Sequence, residues 1–114
     1  QTIAKKTKLF VYQGSNINET CSYANLILPS AVYAEKEGTF TNVQGRVQKI
    51  NPAFAPIGEA KGDWEILNLL ADKLDLGIHY KKSSDVFKDV ASAVSSFSEM
   101  SYEKIADQGM ILKK

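Results

Sequence analysis

The chain has 114 residues, 44% hydrophobic and 24% charged, with 14 basic against 13 acidic side chains and a formal net charge of +1. That composition is globular, and the length suits one compact unit. So even a charge balance leaves no electrostatic case for nucleic acid, whose binding rests on phosphate neutralisation, and no apolar run approaches the roughly 20 residues that direct membrane insertion requires.

The opening Gln1-Thr2-Ile3-Ala4-Lys5-Lys6 lacks the apolar core of a signal peptide, and a chain that does not begin with Met is expected to be a processed product or a fragment. Lys5-Lys6 and Lys113-Lys114 read as solvated ends. Leu9-Phe10-Val11-Tyr12, halted by Gly14-Ser15-Asn16, predicts a buried strand of a parallel sheet. Leu26-Ile27-Leu28, closed by Pro29, predicts a second strand, and the stretch between them is tight for a full crossover helix. Ser30 to Lys36 offers the start of a helix. Gly38 to Ile50 reads as a hairpin turning near Asn42 to Gly45. Residues 51–62, with Pro52, Pro56, Gly58 and Gly62, read as an extended surface connection within a single partial domain over 1–114.

Asp63 is placed to cap the strongest helix. Trp64, Leu67, Leu70, Ala71 and Leu74 follow at helical spacing as its buried stripe, and Gly77 serves as the stop. A second amphipathic helix is expected from about Asp85 to Phe97, burying Val86, Phe87, Val90, Ala91, Val94 and Phe97. Ser101-Tyr102-Glu103-Lys104 reads as the start of a short third helix capped by Ser101.

The residues offer little chemistry. His79 is the sole histidine and Cys21 the sole cysteine. A site of several imidazoles is therefore impossible within the chain, as is a cluster needing about four thiolates. His79 reads as a surface or hydrogen-bonded structural residue, and Cys21 as a small, at least partly buried thiol in a reducing compartment. Glu35, Glu37 and Glu59 show no spacing for paired carboxylate work. Neither a catalytic residue nor a metal site is expected. The lone glycine of Gly14-Ser15-Asn16 is a weak phosphate-loop signal, and a plain strand-ending turn is the simpler reading. The segment Gly38 to Arg46 is richer in hydrogen-bonding groups, with Thr39, Thr41, Asn42, Gln44 and Arg46. It reads either as a hairpin with two polar faces or as a wall that orders a polar ligand or a partner's backbone.

Three stretches carry a family resemblance: Asn18-Glu19-Thr20-Cys21-Ser22-Tyr23-Ala24-Asn25-Leu26-Ile27-Leu28-Pro29, then Ala34-Glu35-Lys36-Glu37-Gly38-Thr39-Phe40-Thr41-Asn42-Val43-Gln44-Gly45-Arg46-Val47-Gln48, and Ile57 to Ile66. Together they resemble the molybdopterin oxidoreductase superfamily. With Val11-Tyr12-Gln13-Gly14 ahead of them, they look most like the C-terminal part of the large iron–sulfur subunit of respiratory complex I (NADH:quinone oxidoreductase). The resemblance is specific from about Leu9 to Leu74 and weaker to Gln108-Gly109.

It implies an α/β fold, a Rossmann-like portion of a much longer chain, with a β-hairpin and two to three helices. It also implies a structural role in electron transfer from NADH to quinone, with no redox centre bound here and iron–sulfur clusters in the rest of the subunit. Partners would be that remainder and other peripheral-arm subunits of complex I, on the bacterial cytoplasmic or mitochondrial matrix side. The alternatives are a fragment of a molybdopterin-dependent enzyme such as a formate dehydrogenase, or a stand-alone interaction module. If a pterin cofactor is retained, Thr41, Asn42 and Arg46 are its candidate contacts; otherwise Thr41, Asn42, Gln44 and Arg46 are candidates for docking. Asn25 and Gln44 stand where the family usually has Asp and Glu, keeping hydrogen bonds while losing charge and leaving Arg46 without a local counter-ion.

Overall fold

Short β-prone runs separated by turn formers divide the first half of the chain, and two amphipathic helices dominate the second. In the structure, a computed structural model, residues 2–113 are described; what was expected of Gln1 and Lys114 lies outside them. In chain order the elements are helix α1 (Thr2–Lys6), strands β1 (Val11–Gly14) and β2 (Leu26–Pro29), the hairpin β3 (Gly38–Thr41) and β4 (Arg46–Ile50), helices α2 (Asp63–Lys73) and α3 (Ser83–Ala93), and strand β5 (Met110–Ile111). The fold is α/β.

β1 and β2 pair in parallel, Val11 opposite Leu26 through Gly14 opposite Pro29. Their connection is only a 3₁₀ segment, Glu19–Tyr23, started by Asn18, whose side-chain oxygen accepts from the Thr20 amide. Cys21 closes that segment as a buried thiol, its sulfur accepting from the Asn18 amide at 3.3 Å. Ser30 to Lys36 does not become an α-helix; it holds the shorter 3₁₀ segment Tyr33–Glu35.

β3 and β4 form the expected antiparallel hairpin, and β5 adds to β4 with Val47 opposite Met110. The turn is shaped by Asn42, whose side-chain oxygen accepts from the amides of Gln44 and Arg46, and by Gly45 at a φ of 77°, which favours glycine. No helix or named strand lies within 51–62, where Lys61 makes one isolated parallel bridge to Ser30.

The core sits under this second sheet. Val47 and Ile105 are fully buried, with Phe87 and Met100 beside them and Phe97, Tyr102, Met110 and Leu112 packed around. Phe87 meets Phe97 and Tyr102 edge to face, with ring centroids 6.0 and 5.6 Å apart.

Several boundaries differ from expectation, each for a local reason. Asp63 is the first residue of α2, not its cap; Gly62 precedes it, and Glu65 reaches back to accept from the Gly62 amide at 2.7 Å. α2 ends at Lys73, and Asp75 takes a left-handed conformation ahead of Gly77. The stripe of α2 is rotated from the expected one. Ile66 and Ala71 are buried, whereas Leu67 is 57%, Leu70 44% and Leu74 60% exposed. β2 and the loop before α2 lie along one side of the helix, while Trp64 borders a cavity with Phe87 and Tyr102, and the Asn68 side chain accepts from the Tyr80 amide at 2.8 Å. α3 spans Ser83–Ala93, and Ser95–Phe97 breaks away as a 3₁₀ turn.

The expected third helix is a single turn. Ile105 N donates to Ser101 O and Lys104 N to Ser101 Oγ, but Ala106 and Gly109 then close tighter turns, which bring Met110 alongside Val47. Gly109 is essential there: its φ is 73°, and an added Cβ would lie 2.5 Å from the Val47 carbonyl oxygen.

Ile105→Ala is expected to lower stability in a chemical melt by about 2–5 kcal/mol, the range for a truncated core aliphatic. Gly109→Ala should cost at least the roughly 1–2 kcal/mol of forcing a side chain into the left-handed region. Val43→Ala, at a fully exposed turn position, should leave the melt unchanged. Equal melts for all three would place the core elsewhere.

Candidate functional site

Parallel strands present a crevice outside their carboxyl ends, where α/β folds commonly bind ligands. Here β1 ends at Gly14 and β2 at Pro29, and Ser30 N donates to Gly14 O at 3.1 Å, locking the two ends together. Beyond them opens a crevice of about 420 Å³ lined by Ser15, Asn16, Ser30, Glu35, Phe54 and Ile57 among others. Ser30 and Glu35 are buried, and one Glu35 oxygen accepts from the Val32 amide at 2.9 Å. The crevice therefore offers amide, hydroxyl and carboxylate groups together with an aromatic ring. No Lys or Arg lines it.

Beside it lies an ionic junction. Asp63 accepts from Gln13 Nε2 at 2.9 Å on one oxygen and forms an ion pair with Lys36 on the other. Burial raises its pKa, but the hydrogen bonds from Lys36 and Gln13 and the Lys36 charge outweigh this, so the carboxyl sits below its usual 3.8. A second polar chain joins the hairpin to α3: Tyr102 OH donates to Ser83 Oγ, which donates to Glu37 Oε1, both at 2.9 Å. Burial and the nearby Glu37 charge push the Tyr102 hydroxyl pKa up, against the lowering effect of its bond to Ser83.

The hairpin candidates do not converge. In the β3–β4 register Thr41 stands opposite Val47, so by strand alternation it shares the Val47 face while Arg46 points to the other. Thr41 borders a cavity of about 210 Å³ with Trp64, Phe87 and Tyr102. Arg46 donates from Nη1 to Gln108 O at 2.8 Å, so the guanidinium finds a partner within the chain itself. Asn42 spends its side-chain oxygen on the turn, and Gln44 is exposed, its amide held by Asn42. Asn25, in place of the family's Asp, keeps an acceptor role: its Oδ1 takes the Phe10 amide at 2.8 Å.

His79 is exposed on the loop after α2, 3.6 Å from an Asp72 oxygen. Among the described residues no group of three or more His, Cys, Asp or Glu is arranged to hold a metal, and no helix is long and apolar enough to cross a membrane. The reading of single residues missed Ser30, Glu35 and Phe54 as crevice residues, since they come from two stretches far apart in sequence. The one available signal was Gly14-Ser15-Asn16 following a strand.

A family model described as molybdopterin oxidoreductase matches residues 1–73. A formate dehydrogenase alpha subunit of Methanocaldococcus jannaschii is 37% identical over 108 residues, covering 93% of this chain and 16% of the relative. The alpha subunit of formate dehydrogenase 1 of Methanococcus maripaludis is 35% identical over 108 residues, with coverage of 93% and 16%. A Staphylococcus haemolyticus protein, provisionally named a formate dehydrogenase, is 36% identical over 105 residues, covering 92% of this chain and 11% of its own length. The chain thus spans 11 to 16% of these relatives. They carry formate dehydrogenase names, not the complex I name that the motif resemblance suggested.

Gln13, Lys36 and Asp63 all lie in the matched region. Because the folded pKa of Asp63 is depressed, its contribution to stability is present above the unfolded value of about 3.9. It is lost as pH falls through the lower folded value. Lys36→Met should raise the Asp63 pKa in a carboxyl NMR titration towards its unfolded value and so shrink the part of the acid-dependent stability loss that Asp63 contributes. An unchanged Asp63 titration would remove Lys36 from this role.

Proposed function

The chain belongs to the molybdopterin oxidoreductase family, and from that premise we propose that it is a segment of a longer formate dehydrogenase-type subunit, in which it walls the pterin part of the molybdenum cofactor and is not catalytic alone. The observation that carries this reading is the crevice at the carboxyl ends of β1 and β2. A pterin is a flat heterocycle whose edges carry both N–H donors and carbonyl acceptors. Phe54 offers a ring to stack on, Asn16 offers its side-chain NH2 as a donor while its oxygen holds Ser15 Oγ at 2.8 Å, and Ser30 and Glu35 supply further polar groups. When bound, the cofactor supplies the redox chemistry; this chain's residues orient it and exclude water. Cofactor phosphates need cations from outside this crevice, which has none. Thr41, Asn42 and Arg46 do not fit as one set of contacts, because the strand alternation sends Thr41 and Arg46 to opposite faces.

The names of the relatives support the substrate class. The partner is the remainder of the subunit, and with a single cysteine here any iron–sulfur clusters belong to that remainder. A second reading, a structural part of the large complex I subunit in the peripheral arm, rests on Val11-Tyr12-Gln13-Gly14 and on Asn25 and Gln44 in place of carboxylates. The relatives favour the first.

Full-length subunit purified from the encoding reading frame should contain molybdenum by elemental analysis and reduce a dye with formate. Phe54→Ala should weaken cofactor retention by roughly 5- to 150-fold, the equivalent of about 1–3 kcal/mol of ring stacking; Lys82→Ala should not change it. A molybdenum-free subunit that still passes electrons from NADH to quinone in its complex would establish the second reading in place of the first.

A further inference from the structure

Leu26 and Leu28 lie on one face of β2, and Ile66, Leu69 and Leu70 on the near side of α2; between them runs an open groove of about 540 Å³. Its walls are conspicuously uncovered: Leu26 is 48%, Leu69 49% and Leu70 44% exposed. A parallel sheet normally has both faces covered by helices. Here the β1–β2 connection cannot serve, because it is a 3₁₀ segment lying on the opposite face, where the Tyr12 hydroxyl meets Asn16 and Asn18. The rim of the groove carries Lys61 and Lys73 against the single acid Glu59. Neither lysine has an ion-pair partner among the described residues. Meanwhile the relatives are far longer, this chain amounting to 11 to 16% of them.

We propose that the groove seats an amphipathic helix from the remainder of the subunit, which places leucine-class side chains between β2 and α2 and a carboxylate against Lys61 and Lys73. This rests on the reading that the chain is a segment of a longer polypeptide, but not on the identity of the cofactor. The apolar walls supply the binding, and the basic rim selects the helix orientation, since only a helix with an acidic flank satisfies both ammonium groups.

The test uses the full-length subunit with the photoreactive residue benzoylphenylalanine at Leu70, and separately at Leu26 in case one substitution disturbs folding. After irradiation, peptide mapping should find an intrachain cross-link to a segment with helical apolar spacing. A zero-length carbodiimide should join Lys61 or Lys73 to an Asp or Glu within that same segment, with loss of free-amine labelling at that lysine and not at Lys82. Cross-links to a second copy, to a segment without helical spacing, or to nothing at both positions overturn the proposal. Molybdenum content and formate activity, measured on the same preparation, report on the cofactor reading separately: a metal-free subunit with the expected cross-link retains the helix and discards the cofactor.

Discussion

Asp63 receives Gln13 on one carboxylate oxygen and Lys36 on the other, and through it the end of β1, the approach to the hairpin and the first turn of α2 meet at one point. Its side chain is about half exposed, so the ionic energy is modest. The geometry matters more, because the buried cluster of Val47, Phe87, Met100 and Ile105 is drawn from β4, α3 and the turns between α3 and β5. The parallel pair and α2 have no comparable cluster, only separate buried residues such as Cys21, Ala31, Ile66 and Ala71. Asp63 also sits at the amino end of α2, where the helix dipole favours a negative charge. The position of the whole first layer relative to the hairpin therefore depends on polar contacts more than on a shared core.

The same thinness explains the exposed surface. Leu26, Ile27, Leu67, Leu69, Leu70 and Leu74 all remain well exposed. Leaving apolar surface in water forgoes about 25 cal/mol for each Å² that burial would remove. A two-stranded parallel sheet has two open edges and two faces, and one 11-residue helix covers only a strip of one face. On the proposed reading, in which the chain is part of a longer subunit, this uncovered strip is where further polypeptide would complete the layer.

The polar groups divide into those that hold the fold and those left for a ligand. Asn42, Arg46, Glu37, Ser83 and Tyr102 are engaged in turns and links inside the chain. Glu35 is partly so, through the Val32 amide. What remains concentrated in one concave place is the set around Ser30, Phe54 and the Asn16 side-chain amide, whose oxygen also accepts from Ser15 Oγ at 2.8 Å. The hairpin is rich in polar side chains, yet much of that polarity shapes the hairpin itself.

Local sequence determined the strand pair at Val11 and Leu26, the hairpin with its turn at Asn42 to Gly45, the two main helices, and the family, because each is written in contiguous residues with a definite period or turn chemistry. The amide substitutions at Asn25 and Gln44 were visible in the same way. Tertiary structure alone decided which side of α2 is buried: its leucines occur around much of the helix, so periodicity could not choose between the Ile66–Ala71 side and the Leu67–Leu74 side. It also decided β5, a two-residue strand with no local signal, which exists because the turns after Ser101 deliver Met110 to Val47. And it brought Ser15, Ser30, Glu35 and Phe54, from three stretches of the chain, to one crevice at the strand ends, through the parallel pairing and the return of residues 51–62.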